Sequence, residues 1–324
     1  MSEKKILILG CGVSGLTSGI RLLENGFDVE IVAHSLPPNT TSNIAAAYWY
    51  PYKVSPEDKV LGWAGFSYNK FQELSQNPDT GVSIFELVKL FSEKVDDPFW
   101  KPAVESFRRA EPEQLSAGYV DGFIADVPII ETPLYMKYLV NRFQDLEGEI
   151  EKLDKEIDSL NELIENNKLV INCSGLGARK VCNDKNTFPI RGQIAIVSNP
   201  GINRCISVEV GPRAPIYVVP RSEDCILGGT AEENNWSLEI DPGTADEILE
   251  KCTELEPGLA EAEILEHKVG LRPGRTEVRL ELEHMSDGQA VIHNYGHGGT
   301  GFTLSWGCAE EVLNLAENFI RNHC

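Results

Sequence analysis

Long apolar runs are missing from this chain of 324 residues. No stretch approaches the roughly 18–20 residues of a membrane-crossing helix, so no membrane partner is expected. A basic excess is missing too: 29 lysines and arginines face 50 acids, a net charge of −21 at pH 7. A balance that acidic argues against nucleic acid or an anionic membrane surface as the main partner. The eight cysteines stand singly, at 11, 173, 182, 205, 225, 252, 308 and 324, with no CxxC pair. No histidine cluster has metal spacing either, so no metal site is expected, and the cysteines read as reduced thiols of a cytosolic enzyme. The apolar stretch after Met1 stops at Gly10, too short for a secretory signal core, and a cytoplasmic location is the expectation. Fixed-period repeats, low-complexity segments and a flexible linker are absent. A Ser/His/Asp, Cys/His or paired-carboxylate constellation is absent as well.

What is there begins with the first residues. Lys4 to Leu9 reads as a buried parallel strand running into Gly10-Cys11-Gly12-Val13-Ser14-Gly15, a complete GxGxxG. A helical segment follows, with Ile20, Leu22 and Leu23 on one side and Gly26 as its stop, and then a second strand from Phe27 to Ala33. That order is the context a dinucleotide fingerprint needs. The glycines allow a tight turn and close backbone approach, and the helix N-terminus offers free N–H groups to a pyrophosphate. The alternative is a merely structural glycine turn. The acid that grips a ribose belongs at the end of the second strand, where His34 and Ser35 stand instead; Glu30 is mid-strand. The ribose contact is therefore unassigned.

Pro37 to Tyr52 mixes hydroxyls, small residues and aromatics, a composition fit for the wall of a phosphate and flat-ring site or for a polar loop entering a packed helix. Residues 58–75 read as a helix, and 80–130 as an inserted antiparallel region. A further helix starts with Pro133 in its first turn. The charged stretch from Glu147 to Asn167 reads as a solvated helix or connector. Lys168 to Gly175 repeats the strand-into-glycine pattern, as a late strand returning to the first sheet. Strands are also expected at Pro189–Ile196, Ile216–Pro220 and Cys225–Thr230, and a helix over 244–255 with Thr244 at its N-cap. Pro273 forces Arg272 into extended backbone, a rigid fork suited to a carboxylate or else a plain surface arginine. Finally His293-Asn294-Tyr295-Gly296-His297-Gly298-Gly299-Thr300-Gly301 packs four glycines ahead of a closing helix. This makes a second anion-favouring helix end, with His293 and His297 read as structural hydrogen-bonders in preference to acid–base groups.

Taken in blocks, Gly10–Gly15, Thr40–Tyr52, Val170–Gly175, Arg191–Gln193, Ile216–Pro220, Gly228–Trp236, Gly270–Arg275 and His293–Gly307 resemble the flavin-dependent D-amino acid oxidases. The His-Asn-Tyr-Gly-His-Gly-Gly run is shared with their close relative D-aspartate oxidase. The resemblance implies an α/β fold with an α+β substrate part: a Rossmann-like FAD-binding domain (1–53, 130–192 and 286–324) interleaved with an antiparallel-sheet substrate and interface domain (54–129 and 193–285). A homodimer is implied as well. Position by position, Gly10, Gly12, Val13, Ser14 and Gly15 match the FAD pyrophosphate turn, and Thr40, Thr41 and Ser42 continue that shell. His34 and Ser35 stand near the ribose, Ile157 at the adenine and Ser174 on the returning strand. Ala47 and Tyr48 approach the flavin, which Gly298, Gly299, Thr300, Gly301, Phe302 and Thr303 cover at its pyrimidine edge. Arg272 matches the arginine that binds the substrate carboxylate, Tyr217 its hydroxyl partner, and the Gly299 carbonyl the acceptor for the substrate amine. Tyr50 and Arg213 are the candidates for side-chain selectivity.

The implied chemistry is hydride transfer from Cα of a D-amino acid to FAD N5, then reoxidation by molecular oxygen. The imino acid formed then hydrolyses, so the products are a 2-oxo acid, ammonia and hydrogen peroxide. Neutral side chains are favoured, because D-aspartate would need a second cation and Arg213 is the only nearby candidate. A non-catalytic flavin- or dinucleotide-binding protein and an NAD-dependent dehydrogenase are the remaining alternatives. Three departures stand out. The segment before Tyr217 is shorter than in animal members and lacks their second tyrosine. His34 and Ser35 replace an acidic–basic pair. The end, Asn322-His323-Cys324, is not a peroxisomal tripeptide.

Overall fold

The computed structural model describes residues 5–211 and 214–323. The chain opens with β1 (Lys5–Leu9), α1 (Val13–Glu24), β2 (Asp28–Ala33), the single turn α2 (Thr41–Ile44) and α3 (Glu57–Leu74). Next come β3 (Val82–Phe91), β4 (Phe107–Arg109), β5 (Asp121–Ile130), α4 (Thr132–Asp145) and β6 (Glu149–Lys152). The middle holds α5 (Asn161–Ile164), β7 (Leu169–Asn172), α6 (Ala178–Val181), β8 (Phe188–Ser198) and β9 (Cys205–Val208). The rest is β10 (Ile216–Pro220), β11 (Asp224–Gly228), β12 (Glu232–Glu233), α7 (Pro242–Leu255), β13 (Ile264–Gly274), β14 (Arg279–His284), β15 (Ala290–Tyr295) and α8 (Gly301–His323).

Two sheets result, in a mixed α/β architecture. The first has the order β14-β15-β7-β1-β2-β6 and is parallel except for the edge strand β14. Its central strand β1 is apolar on both faces, with Ile6 and Ile8 on one and Leu7 and Leu9 on the other all buried, as a parallel strand covered on both sides must be. One face packs against α1, α4 and α8 through Ile8, Leu16, Ile20, Phe143, Leu304 and Phe319. The other is covered by Ile157, Leu160 and Ile164 against Leu7, Leu9, Val170 and Val291.

That second cover corrects the expectation for Glu147–Asn167. The stretch is no solvated connector: it supplies edge strand β6, which extends the sheet beside β2, and then the apolar lid of the sheet's outer face. Its buried side chains, Ile157, Leu160 and Ile164 with Leu153 partly buried beside them, keep a 3–4 spacing but are few and set among acids, and only Asn161–Ile164 of the stretch is helical.

The second sheet follows β12-β8-β11-β10-β9-β3-β5-β4, with β13 on the other edge of β8. Its pairs are antiparallel apart from β3 with β9. The amphipathic helix α7 seals one face through Ile248, Cys252 and Leu255. Its N-cap is Asp241, one residue before Pro242, and not Thr244: the Asp241 carboxylate accepts the Thr244 N–H at 2.6 Å. A short acidic side chain before a first-turn proline satisfies an orphan donor there, and Thr244 is the third residue of the helix.

Replacing Asp241 with Ala therefore costs about 1 kcal/mol of stability, whereas Thr244→Ala costs much less. Urea denaturation of the two variants checks the assignment; equal losses would contradict it.

Candidate active site

Because β1, β2, β7 and β15 run parallel, their carboxyl ends share one side of the sheet. The residues that follow them, Gly10, His34, Cys173 and Gly296, all line one cavity of 680 Å³. A crevice outside the carboxyl ends of such strands is where the fold exposes backbone donors.

At its phosphate end the turn after β1 is built by close approach. Gly10 sits at φ +109°, and a Cβ there would lie 2.4 Å from the Cys173 carbonyl oxygen. Gly12 is the N-cap of α1 and supplies no capping side chain, leaving the helix end open to the cavity. The Val13 N–H donates to Ser42 Oγ at 3.0 Å, which brings the Thr40–Ser42 segment over the helix. The Ser174 hydroxyl, in the same wall, is buried with no hydrogen-bond partner among the described residues. An open helix end and an orphaned hydroxyl at a glycine turn make a donor-rich wall that the pyrophosphate of FAD would fit.

The outer end of the cavity holds His34, Ser35 and Ile157. His34 Nδ1 lies 3.3 Å from the Leu153 carbonyl oxygen. Glu30 is bound to Lys5 at 2.9 Å within the sheet, while Glu156 is an acid in the wall at this end. Sequence reading did not find Glu156, since it belongs to the segment taken for a connector.

At the opposite end the glycine-rich run delivers Gly298, Gly299, Gly301, Phe302 and Thr303 to the wall at the N-terminus of α8. Thr303 Oγ1 accepts the Tyr50 N–H at 3.1 Å and donates to the Tyr50 carbonyl oxygen at 3.2 Å, locking Ala47–Tyr50 to the helix. Behind them His297 meets Asn294 Oδ1 at 3.0 Å, and burial pushes its pKa down to about 4. His293 bridges Glu283 and Asn172; burial, with Arg279 nearby, lowers it against the pull of Glu283. Both histidines are buried hydrogen-bonding groups.

Arg272 lies on β13, opposite Ile190 of β8. Its Nη1 donates to the Thr230 carbonyl oxygen at 3.0 Å. The guanidinium lies across Gly192, where a Cβ would be 2.3 Å from Nη1, and the Tyr217 ring lies across Gly228 at 1.9 Å from such an atom. Burial raises the Tyr217 hydroxyl pKa while Arg272 opposes it. Tyr52, which sequence reading did not single out, joins the group: both its ring and the Arg272 side chain border Gly299. The Pro51-Tyr52 pair closing the aromatic run was the available signal.

Tyr48, Tyr50, Thr40, Thr41 and Ala47 also line the cavity, so most predicted site residues come together. Gly15 and Thr300 do not reach it. Gly15 packs on the Gly10 carbonyl, and Thr300 turns its hydroxyl onto the His297 carbonyl at 2.6 Å. Arg213 lies outside the described residues.

The family model described as FAD dependent oxidoreductase matches residues 5–315. A D-amino-acid oxidase of Rubrobacter xylanophilus is 48% identical over 313 residues, covering 96% of this chain and 95% of that protein. A human D-aspartate oxidase is 32% identical, covering 99% and 96%. The solved glycine oxidase of Geobacillus kaustophilus has the same fold, with a TM-score of 0.81 at 17% identity over 97% of this chain and 95% of that one.

A histidine held neutral by the fold binds its proton more tightly when unfolded, so its contribution is intact above pH 6.5 and fades as pH falls toward 4. Between pH 7 and pH 5 the unmodified chain should lose about 2 kcal/mol more stability than His297→Gln, measured by urea denaturation at both values. Parallel pH profiles would place His297 in a solvated setting.

Proposed function

The chain belongs to the FAD-dependent oxidoreductase family, and from that premise we propose that it is a D-amino-acid oxidase acting on neutral side chains. Bound FAD would supply the acceptor for a hydride from the substrate Cα and would pass the electrons to molecular oxygen as hydrogen peroxide; the imino acid so formed would hydrolyse with water to a 2-oxo acid and ammonia. One observation carries the reading. A guanidinium fixed on extended backbone opens into the same cavity as two helix N-termini.

In this reading Arg272 binds the substrate carboxylate, pre-aimed by its bond to Thr230 and by the room Gly192 leaves. Tyr217 donates its hydroxyl to the same carboxylate. The raised pKa of that hydroxyl keeps the proton in place for donation. The Gly299 carbonyl accepts from the amine, which orients Cα. The N-terminus of α8 stabilises negative charge that develops at the ring end of the cofactor. No side chain need move a proton if the amine arrives neutral, which fits histidines committed to buried hydrogen bonds. The first sheet and its helices serve as the cofactor domain and the second sheet as the substrate domain. We also take the protein to be a cytoplasmic homodimer; thiols that stand free support a reducing compartment.

The human relative makes D-aspartate the competing substrate. It would require a cation near the substrate side chain, whereas the described wall there carries the carboxylate of Glu209.

Anaerobic titration with D-alanine should bleach the flavin bands, and air should restore them with formation of peroxide. A flavoprotein that D-alanine cannot bleach would overturn the neutral preference. Arg272→Ala should raise KM by the equivalent of about 2–4 kcal/mol, and Tyr217→Phe by about 1–2 kcal/mol. An unchanged KM for Arg272→Ala would mean that another group holds the carboxylate.

A further inference from the structure

Beyond Tyr217 the cavity wall continues as a row of rings into a buried ion pair. Tyr48 lies 6.4 Å from Tyr217 and 6.2 Å from Tyr50, centroid to centroid. The Tyr50 hydroxyl donates to Glu209 Oε2 at 3.1 Å. The other oxygen of Glu209 meets the Lys89 ammonium at 2.5 Å. Lys89, on β3, is fully buried; it also donates to Ser207 Oγ at 3.0 Å and stands 4.1 Å from the Tyr50 ring centroid.

Stability does not account for this arrangement, because apolar residues of similar volume serve a core at least as well as a desolvated ion pair. Its two charges are also placed unequally. Glu209, Ser207 and Tyr50 line the cavity, while Lys89 stands behind them out of reach. What the wall presents is a carboxylate with one lysine at its back.

We propose that Glu209 is a specificity-determining residue: it repels D-amino acids whose side chain ends in a carboxylate and accepts those ending in a hydrogen-bond donor. The inference rests on the D-amino-acid oxidase reading above and names the substrate class within it. Lys89 and the Tyr50 hydroxyl fix the carboxylate in one orientation, so that its charge acts at a defined place. The effect is electrostatic exclusion, in which an unpaired substrate charge set against a fixed like charge is turned away.

D-Glutamine and D-glutamate differ in little but charge, so their kcat/KM ratio in the FAD-loaded enzyme reads the effect directly. The unmodified enzyme should favour D-glutamine at least tenfold. Glu209→Gln should reduce that preference to near unity or reverse it, since the charge of Lys89 behind the wall is then uncompensated. The paired replacement Lys89→Met with Glu209→Leu leaves no buried charge behind, and it too should bring the ratio toward unity should the single variant fail to fold. A preference below threefold in the unmodified enzyme overturns the proposal, and so does a ratio that neither variant moves. If D-alanine reduces the flavin while the ratio stays unmoved, only this inference fails; if no D-amino acid reduces it, the oxidase reading itself fails.

Discussion

Everything at this site depends on two helices that lie side by side and end at the same place. The Thr17 hydroxyl on α1 donates to the Val13 carbonyl within its own helix and lies 3.2 Å from the Ser305 carbonyl of α8. Arg21 reaches Glu310 from the next turns of the same two helices. Gly301 and Val13 are close neighbours at the tips. With the axes tied in this way, two positive dipole ends converge on one cavity, although the segments that form them are almost the whole chain apart. A ligand with a pyrophosphate at one point and a charge-accepting ring at another matches that geometry better than a mononucleotide does.

The substrate end is organised by a different principle, the removal of side chains. Arg272 and Tyr217 hold their positions because Gly192 and Gly228 leave the space that a Cβ would occupy. The guanidinium is then oriented by Thr230, whose own hydroxyl accepts the Gln193 N–H at 2.9 Å on the neighbouring strand. Arg191 stands behind this group, bonded to Glu232, Gln193 and two backbone carbonyls. A cation aimed by the sheet needs little reorganisation on binding an anion, which is the condition for a strong charge-assisted contact. The lack of an acid–base constellation is consistent with this design: the protein binds and orients, and the cofactor supplies the reaction.

The residues most legible in the sequence were those whose backbone must adopt a special shape. The glycine turn after β1, the run before α8 and the Arg-Pro pair on β13 each carry local constraints that any environment would impose. Strongly apolar strands such as β1 and β7 were equally clear, since burial on both faces leaves few polar interruptions; β15, whose sequence includes His293 and Asn294, was not read as a strand. Less legible were segments whose meaning comes from what they cover. β6 and the lid beyond it read as a charged connector because their few apolar residues are outnumbered by acids, which hides the face they bury. Glu209 reaches the cavity from a position just past the end of β9 that has no sequence signature, and Tyr52 from a loop marked only by the Pro51-Tyr52 pair. The helix cap was misplaced by three residues, although Asp241 before a first-turn proline is itself a helix-start pattern.

By itself, then, the sequence determined the dinucleotide turn, the second glycine-rich helix start, the parallel core strands and the arginine fork, for each is written in residues close together along the chain. Only the tertiary structure decided that these features meet at one cavity and that Lys89 backs Glu209 in its wall. It also placed Gly15 and Thr300 in close packing outside the cavity lining. The physical reason is range. Backbone conformation and strand burial are set by neighbouring residues, whereas a cavity wall and a buried ion pair join residues more than a hundred positions apart through contacts that exist only once the sheets have formed.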